Sequence, residues 1–218
     1  MVIIMKKIML IGDSIRQGYD KFVKLALEGS AEVYFPKENC RFSQYVLRNF
    51  SDWHTESKFG ADTDCVHWNA GLWDCLTMFC DGCLTPIDVY AQFIERVCKR
   101  IKLLCPNAKV IFATSTPVIE AGYKAPDKFM RYNKDIEEYN AVAVEIVRRH
   151  GFEVNDLYTL LKDLPDSYHS DMTHFYTREA TEIITSQVVK YISDAVDVEV
   201  SPVDYDAFFA KKEDAIGI

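Results

Sequence analysis

Five apolar or β-branched runs alternate with segments of helical periodicity along this chain, and this alternation limits its possible folds more than any other feature. The strand candidates lie at about 7–12, 31–35, 64–69, 109–115 and 152–155, and helical spacing is found near 17–29, 42–50, 87–104, 133–149 and 177–195. Strands that alternate with helices favour a parallel sheet covered on both faces. We therefore predict an α/β fold, a three-layer α/β/α sandwich with a central five-stranded parallel sheet of flavodoxin-like arrangement.

Three polar residues from distant parts of the sequence are expected at one edge of this sheet. Right-handed crossovers place the loops that follow the strands along a common edge, where open α/β sheets bind their ligands. Ser14 follows the first strand candidate, Asn69 follows the third, and His174 lies before the last helix. We predict that these three side chains converge there.

The segment Gly-Asp-Ser-Ile-Arg-Gln-Gly-Tyr at 12–19 carries the first chemical signal. Its serine, Ser14, stands between a strand candidate and a helical segment, so its hydroxyl is expected near the positive end of a helix dipole. That position favours a developing oxyanion. Gly, Asp and Ser are also common in turns and at helix N-caps, so this segment alone leaves a purely structural interpretation open.

The second signal is the Asp-x-x-His spacing of Asp171 and His174. A histidine three residues after an aspartate can turn its ring back to that carboxylate, which then fixes the tautomer and stabilises the imidazolium. The alternative is an ordinary turn with a solvated histidine. His169 is the other histidine close in sequence, and it lacks this spacing; His54, His67 and His150 are not expected to be catalytic.

Together the two segments resemble the GDSL, or SGNH, family of serine hydrolases. Pro-x-Glu-Asn at 36–39 and Asn-x-Gly-Leu-x-Asp at 69–74 are similar to one bacterial branch of that family. The resemblance covers about residues 7–195. It implies a hydrolase domain at 1–195, followed by an extension at 196–218 that lies beyond the family core.

The resemblance also implies a role for each site residue. It assigns Ser14 as nucleophile, His174 as general base and Asp171 as the residue that orients the histidine. For the oxyanion hole it implies the Ser14 N–H, the Cys40–Arg41 backbone where the family usually has a glycine, and the Asn69 amide, with Trp73 as the fallback donor. Asp13 and Gly71 are expected to support the site. No metal or organic cofactor is needed for this chemistry.

The expected activity is hydrolysis of a short-chain acyl ester through an acyl-enzyme, with an acetyl group on a carbohydrate as the favoured substrate. The stretches 50–64 and 120–131 are polar with aromatic residues, which suits sugar rings or small esters, and both are expected to be loops over the active-site edge. A lysophospholipase or thioesterase is the enzymatic alternative. Arg41 and Trp73 depart from the family pattern, so a non-catalytic ligand-binding protein on the same fold is the third possibility.

Seven cysteines raise a separate hypothesis. Cys75, Cys80 and Cys83 have the C-x4-C-x2-C spacing of one class of iron–sulfur proteins, with Cys98 as a possible fourth ligand. The odd number of cysteines and the lack of an export signal favour reduced thiols. We therefore expect free thiols, partly or fully buried, rather than a cluster or a disulfide framework.

Composition limits the partners and the compartment. A net charge of −8 without a basic stripe argues against nucleic acid as a partner. No apolar stretch approaches the ~20 residues of a membrane span, and a cytoplasmic location is expected. The apolar start at 1–7 is expected to extend the first strand. The acidic tail contains Tyr205, Phe208 and Phe209 and is expected to dock on the body of the protein or on a second subunit of a homo-oligomer.

Overall fold

Five parallel strands form one sheet in the computed structural model, which describes the backbone of residues 5–215 and the side chains of residues 5–210. The strands are β1 (Lys6–Ile11), β2 (Ala31–Tyr34), β3 (Cys65–Trp68), β4 (Lys109–Ala113) and β5 (Glu153–Asn155). Their order is β2-β1-β3-β4-β5, which is the flavodoxin-like arrangement. The predicted fold is confirmed. The part of the expected strand extension at residues 1–4 lies outside the described residues.

Helices cover both faces of the sheet. They are α1 (Ser14–Ala26), α2 (Ser43–Ser57), α3 (Ile87–Leu104), α4 (Asn133–Arg149), α5 (Leu157–Leu161), α6 (Arg178–Val196) and α7 (Tyr205–Ala215). Helices α1 and α6 pack together, whereas α2, α3 and α4 pack side by side as a separate group. Within residues 5–215, no helix has the length and apolar character needed to cross a membrane.

Continuous apolar runs explain the central strands. Ile8 to Ile11 of β1 and all four residues of β3 are buried, as expected for strands that are covered on both faces. The reversal of strand order lies between β1 and β3, because β1 connects outward to β2 while the chain returns to build β3 on its other side. Ligands of such sheets bind outside the carboxyl ends of the strands at this point.

The expectation of an active-site loop at 50–64 is wrong. Helix α2 continues to Ser57 because Val46, Phe50 and Trp53 keep helical spacing and are buried in the core. The loop that follows lies at the opposite edge of the sheet, where the Asp64 N–H donates to the Lys7 carbonyl near the start of β1. The segment 50–64 is therefore part of the scaffold.

The C-terminal extension contacts the body of its own chain. The ring of Phe22 in α1 stacks on Tyr205 at 5.2 Å and meets Phe208 edge to face at 4.7 Å between ring centroids. Arg178 of α6 forms an ion pair with Asp206. Helix α7 thus packs its aromatic side chains against α1 and is tied by charge to α6.

Acid sensitivity is expected from His67 of β3, which is completely buried. Burial lowers its pKa from 6.5 to about 3, so between these values the unfolded chain binds a proton that the folded chain excludes. Stability attributable to His67 is complete above pH 6.5 and falls by about 1.4 kcal/mol for each pH unit below it, down to about pH 3.

Urea unfolding of the wild type and His67→Phe at pH 7.5 and pH 4.5 tests this expectation. The free energy of unfolding of the wild type, relative to the variant, should fall by roughly 2–3 kcal/mol at the lower pH. Carboxyl groups common to both proteins cancel in this comparison. A difference independent of pH would contradict the assignment.

Candidate active site

Ser14 is the first residue of α1 and directly follows the turn after β1. Asp13 is the N-cap residue, and its carboxylate accepts a hydrogen bond from the Ile15 N–H at 3.0 Å. First-turn N–H groups have no acceptor within their own helix. The Ser14 N–H has no acceptor elsewhere in the described residues either, so it is free to donate to a bound group.

Asn69 lies beside this turn because Gly12 has no side chain. Its backbone N–H donates to the Ile11 carbonyl at 3.0 Å, and a Cβ placed on Gly12 would come within 1.9 Å of the Asn69 Oδ1. Asn69 is 4% exposed, at the carboxyl end of β3. Burial raises the pKa of Asp13, while hydrogen bonds with the Asn69 side chain and the Ile15 N–H oppose that rise.

Ser14, His174 and Asp171 form one hydrogen-bonded line. The Oγ of Ser14 lies 2.8 Å from Nε2 of His174, and Nδ1 of the same ring lies 2.7 Å from Oδ2 of Asp171. The other carboxylate oxygen accepts the backbone N–H groups of Thr173 and His174 at 2.7 and 2.8 Å. The structure therefore brings together the three residues that the sequence analysis placed at the centre of the site.

Asp171 is suited to remain ionised. Partial burial tends to raise its pKa, but the hydrogen bonds from the His174 ring and from two backbone N–H groups outweigh that effect and hold the pKa below its usual value. Its side chain is 43% exposed and that of His174 is 25% exposed. The carboxylate is thus held by the protein on one side and hydrated on the other.

Tyr176 is a residue that the sequence analysis missed. Its ring stacks on the His174 ring at 4.8 Å, and its hydroxyl donates to the Ser14 carbonyl at 2.6 Å. A Cβ on Gly18 would lie 2.7 Å from the Tyr176 ring, so this glycine makes room for the tyrosine. The second glycine of the 12–19 segment was the available signal, because a glycine inside a helix usually has a packing reason.

The loop after β2 is fastened to the turn at Ser14. Arg16 is 1% exposed, pairs with Asp20, and donates from Nη2 to the Glu38 carbonyl at 2.6 Å. The Cys40 N–H donates to the Gly12 carbonyl at 3.1 Å. These hydrogen bonds fix the distance between the serine turn and the Pro-x-Glu-Asn segment at 36–39.

The two backbone donors expected at Cys40 and Arg41 are both occupied, which corrects the sequence-based oxyanion hole. The Cys40 N–H serves the carbonyl of Gly12, and the Arg41 N–H donates to Asn39 Oδ1 at 2.8 Å. Arg41 has a φ of 51°, in the left-handed region where the family resemblance leads us to expect a glycine. The Asn39 side chain stabilises this turn through a local hydrogen bond that the motif alone did not reveal.

Asp74 and Gly71 fix the Asn-x-Gly-Leu-x-Asp segment at 69–74. Buried Asp74 accepts hydrogen bonds from the N–H and hydroxyl of Ser43, which joins the loop after β3 to the start of α2. Burial raises the pKa of Asp74 to about 6, and the bonds from Ser43 oppose that rise. Gly71 has a φ of 148°, and a Cβ there would lie 2.7 Å from Ser115 Oγ. Asp74 therefore positions this segment through hydrogen bonds, and Gly71 is required because a side chain there would clash with Ser115.

Residues 119–132 form one wall of the site. The Ile119 N–H donates to the Met172 carbonyl at 2.9 Å, and the hydroxyls of Tyr123 and Thr173 are 3.1 Å apart. Tyr123 is buried, whereas Phe129 and Tyr132 are 37% and 40% exposed. Of the three aromatic residues in this stretch, Tyr123 packs the loop and the other two present ring surface to solvent.

An apolar turn next to this wall was not foreseen. Thr77 pairs with Met130 through two backbone hydrogen bonds of 2.8 and 2.9 Å. The turn that follows Thr77, closed by its bridge with Cys83, exposes large apolar side chains. These are Met78, Phe79 and Leu84, of which Phe79 is 66% exposed. Sequence periodicity gave no signal here, because the segment has neither helical nor strand spacing.

Among the residues with described side chains, the remaining histidines and the cysteine thiols make no hydrogen bond to Ser14, His174 or Asp171. His169 packs its ring 3.8 Å from that of Phe175, and His150 pairs with Glu95 at 2.9 Å. All seven cysteines are free thiols, with Cys75 and Cys98 buried and Cys80 exposed. Among the residues with described side chains, no three His, Cys, Asp or Glu residues are grouped to hold a metal ion.

Comparison with known proteins supports the resemblance to GDSL hydrolases. The fold is shared with a lipase/acylhydrolase from Enterococcus faecalis (TM-score 0.70, 22% identity, 91% of this chain and 100% of that one). A GDSL-like lipase from Bacteroides thetaiotaomicron aligns with a TM-score of 0.68 and 17% identity over 87% and 89% of the two chains. An acetylxylan esterase from Geobacillus stearothermophilus aligns with 0.62 and 15% over 88% and 96%.

Sequence comparison adds a partial match. An isoamyl acetate-hydrolyzing esterase 1 homolog from Homo sapiens is 30% identical over 97 residues, which cover 41% of this chain and 39% of that protein. The match thus spans well under half of this relative. No family model matches the chain.

Proposed function

We propose that this chain, which has the fold of the GDSL-type lipases and acylhydrolases, is a serine esterase that hydrolyses acyl esters through an acyl-enzyme. The observation that carries this proposal is the hydrogen-bonded line from Ser14 through His174 to Asp171 at the start of α1. A nucleophile, a base and an orienting carboxylate within hydrogen-bond reach are the arrangement that activates a serine hydroxyl.

The reaction proceeds in two steps. Nε2 of His174 takes the proton of the Ser14 hydroxyl as Oγ attacks the ester carbonyl, and the resulting imidazolium returns that proton to the departing alcohol. Asp171 holds the ring through Nδ1 and stabilises its positive charge. Water, activated by the same histidine, then attacks the acyl-serine and releases the acid.

The oxyanion is stabilised by donors beside the attacking serine. The free N–H of Ser14 and the side-chain amide of Asn69 are the two groups we assign, because Ser14 begins α1 and Asn69 lies beside the turn before it, at the carboxyl end of β3. Electrostatic stabilisation by such preorganised donors is a large contribution to acyl transfer. The N–H groups of Cys40 and Arg41 are occupied instead: that of Cys40 fastens the loop after β2 to the serine turn, and that of Arg41 stabilises the turn at 39–41.

Asn69→Ala is expected to lower kcat for p-nitrophenyl acetate by about 10²–10³-fold, because one transition-state donor is lost. KM should change much less, since the ground-state carbonyl carries little charge. Steady-state kinetics on the variant measure both constants, and urea unfolding checks that the packing against Gly12 survives. A rise in KM with unchanged kcat would contradict the assignment.

For the substrate, we propose a short acyl group, with acetyl esters of carbohydrates favoured. Exposed Phe129 and Tyr132 at the wall offer ring faces on which a sugar can stack. The fold shared with an acetylxylan esterase is consistent with this choice. Hydrolysis of p-nitrophenyl acetate, butyrate and octanoate by the wild type and Ser14→Ala tests the proposal, followed by acetate release from acetylated sugars.

A lysophospholipase or thioesterase is the second candidate. The exposed apolar turn with Met78, Phe79 and Leu84 favours it, because a long acyl chain needs apolar surface next to the site. A kcat/KM that rises from acetate to octanoate supports this candidate. A kcat/KM that falls along the series supports the short-chain esterase.

A binding protein without catalysis would leave the serine unreactive. A fluorophosphonate probe should label the wild type at Ser14 and should not label Ser14→Ala. Absence of labelling together with absence of hydrolysis would overturn the esterase proposal.

We also propose a cytoplasmic location, which the seven free thiols support because reducing compartments keep thiols reduced.

A further inference from the structure

Arg131 combines features that neither the fold nor the proposed reaction explains. It is 4% exposed, and it lies in the wall of the candidate site, between β4 and α4. Its Nε donates to the Leu72 carbonyl in the loop after β3. A buried guanidinium normally has a carboxylate partner, because removing its charge from water is costly. Within the described residues, Arg131 has no carboxylate at ion-pair distance.

Aromatic rings hold the guanidinium in place. Its central carbon lies 5.8 Å from the centroid of the Trp73 ring and 5.1 Å from that of Phe129, within cation–π range. The neighbouring backbone is fixed as well, since both the N–H and the carbonyl of Met130 form hydrogen bonds with the backbone of Thr77. Few rotamers of Arg131 are compatible with these contacts.

The free end of Arg131 has donors to offer. The Leu72 carbonyl accepts the hydrogen bond from Nε. Nη1 and Nη2 have no acceptor in the described residues, and neither is a fully buried atom, so both are accessible from outside the protein. These donors belong to the loop cluster around the serine turn, because Leu72 lies three residues after Asn69 and the segment of Arg131 contacts Met172 and Thr173, next to His174. A rigid cation with unused, parallel donors therefore lies at the candidate active site.

We propose that Arg131 recognises a carboxylate on the substrate, so that the preferred esters of this protein are anionic. The proposal rests on the esterase function above and specifies its substrate class. A guanidinium fork binds a carboxylate through two parallel hydrogen bonds. The protein carries a net charge of −8, and Asp13 and Asp171 lie in or beside the site, so an anionic ester needs a cation there. The carboxylate belongs either to the acyl group or to the alcohol, as in an acetylated uronic acid.

Matched ester pairs distinguish these two sources. On the acyl side, p-nitrophenyl hemisuccinate is compared with p-nitrophenyl 4-methylpentanoate, in which a branched alkyl end replaces the carboxylate. On the alcohol side, the methyl glycoside of O-acetylated galacturonic acid is compared with that of O-acetylated galactose. We expect kcat/KM of the wild type to favour the anionic member of one pair by about tenfold or more.

Variants of Arg131 show whether this residue is the cause. Arg131→Met should abolish the preference, and Arg131→Lys should retain part of it, because lysine keeps the charge but not the planar fork. The ratio between anionic and neutral esters is the readout, so a general loss of activity does not obscure it. Equal losses on both esters of a pair, with the ratio unchanged, would show a purely structural role and overturn the proposal.

Equilibrium binding separates this inference from the esterase proposal. Ser14→Ala should bind the uncleaved anionic ester about tenfold or more tightly than its neutral partner in calorimetric titration, and Ser14→Ala/Arg131→Met should bind both alike. Equal Kd values for both members of both pairs would overturn carboxylate recognition, even where the wild type hydrolyses neutral esters. If the wild type hydrolyses no ester but binds the anionic ester more tightly than the neutral one, carboxylate recognition is supported and the esterase proposal is overturned.

Discussion

His174→Ala is expected to lower kcat for p-nitrophenyl acetate by about 10⁴-fold or more, the largest effect of any single replacement in the site except that of Ser14 itself. The reason is that the 2.8 Å contact between Nε2 and the Ser14 Oγ is the route by which the serine proton leaves. No other histidine has a hydrogen bond to this serine among the residues with described side chains. Steady-state hydrolysis at saturating ester measures the loss.

Asp171→Asn serves as the graded control for this effect. The amide cannot accept the Nδ1 proton at the position where it replaces Oδ2, so the histidine is held in the wrong tautomer. Because the side chain is 43% exposed, water can take over part of the role of the carboxylate. We therefore expect a smaller loss in kcat, about 10²–10³-fold.

The double variant His174→Ala/Asp171→Asn completes the comparison. Because Asp171 acts through the histidine, its replacement should cost almost nothing once His174 is absent. Additive losses would show that the carboxylate acts independently of the ring. A kcat of His174→Ala within tenfold of the wild type would contradict the assignment of the base.

Local sequence patterns were sufficient for most of the fold. Helices α3 and α4 begin and end at the predicted residues because their apolar stripes are regular and their ends are marked, as by Gly151 after α4. The boundary of α2 was missed because Trp53 and its neighbours read as a polar and aromatic loop. Its burial in the core is a tertiary effect that a single helix does not reveal.

The candidate site was predictable where the chemistry is local and not where it depends on packing. Asp171 and His174 are close in sequence, so one loop can join them, and their pairing was predicted from this spacing together with the resemblance to GDSL hydrolases. The occupied N–H of Arg41 depends on the Asn39 side chain, and the position of Tyr176 depends on Gly18, which is far away in sequence. Such contacts depend on side-chain orientation, which residue types at given spacings do not specify.

Asp20→Asn is expected to lower the free energy of unfolding by about 3–5 kcal/mol, the largest stability effect of any charge replacement considered. Asp20 and its partner Arg16 are 3% and 1% exposed, and the replacement leaves the buried guanidinium charge without its carboxylate partner. Burial raises the pKa of Asp20 and the charge of Arg16 opposes that rise, which indicates that the carboxylate depends on this partner. Urea unfolding of the wild type and the variant at pH 7.5 measures the change.

The chain supplies its own matched control in Arg48 and Asp52. This pair has the same residue types and the same i,i+4 spacing on α2, but its side chains are 71% and 54% exposed. Asp52→Asn should therefore cost no more than about 0.5 kcal/mol, because water replaces the lost partner. The contrast between the two variants isolates burial as the cause. A loss for Asp20→Asn as small as that for Asp52→Asn would contradict this expectation. It would indicate that other groups, such as the Glu38 backbone carbonyl that Arg16 also engages, compensate the buried charge.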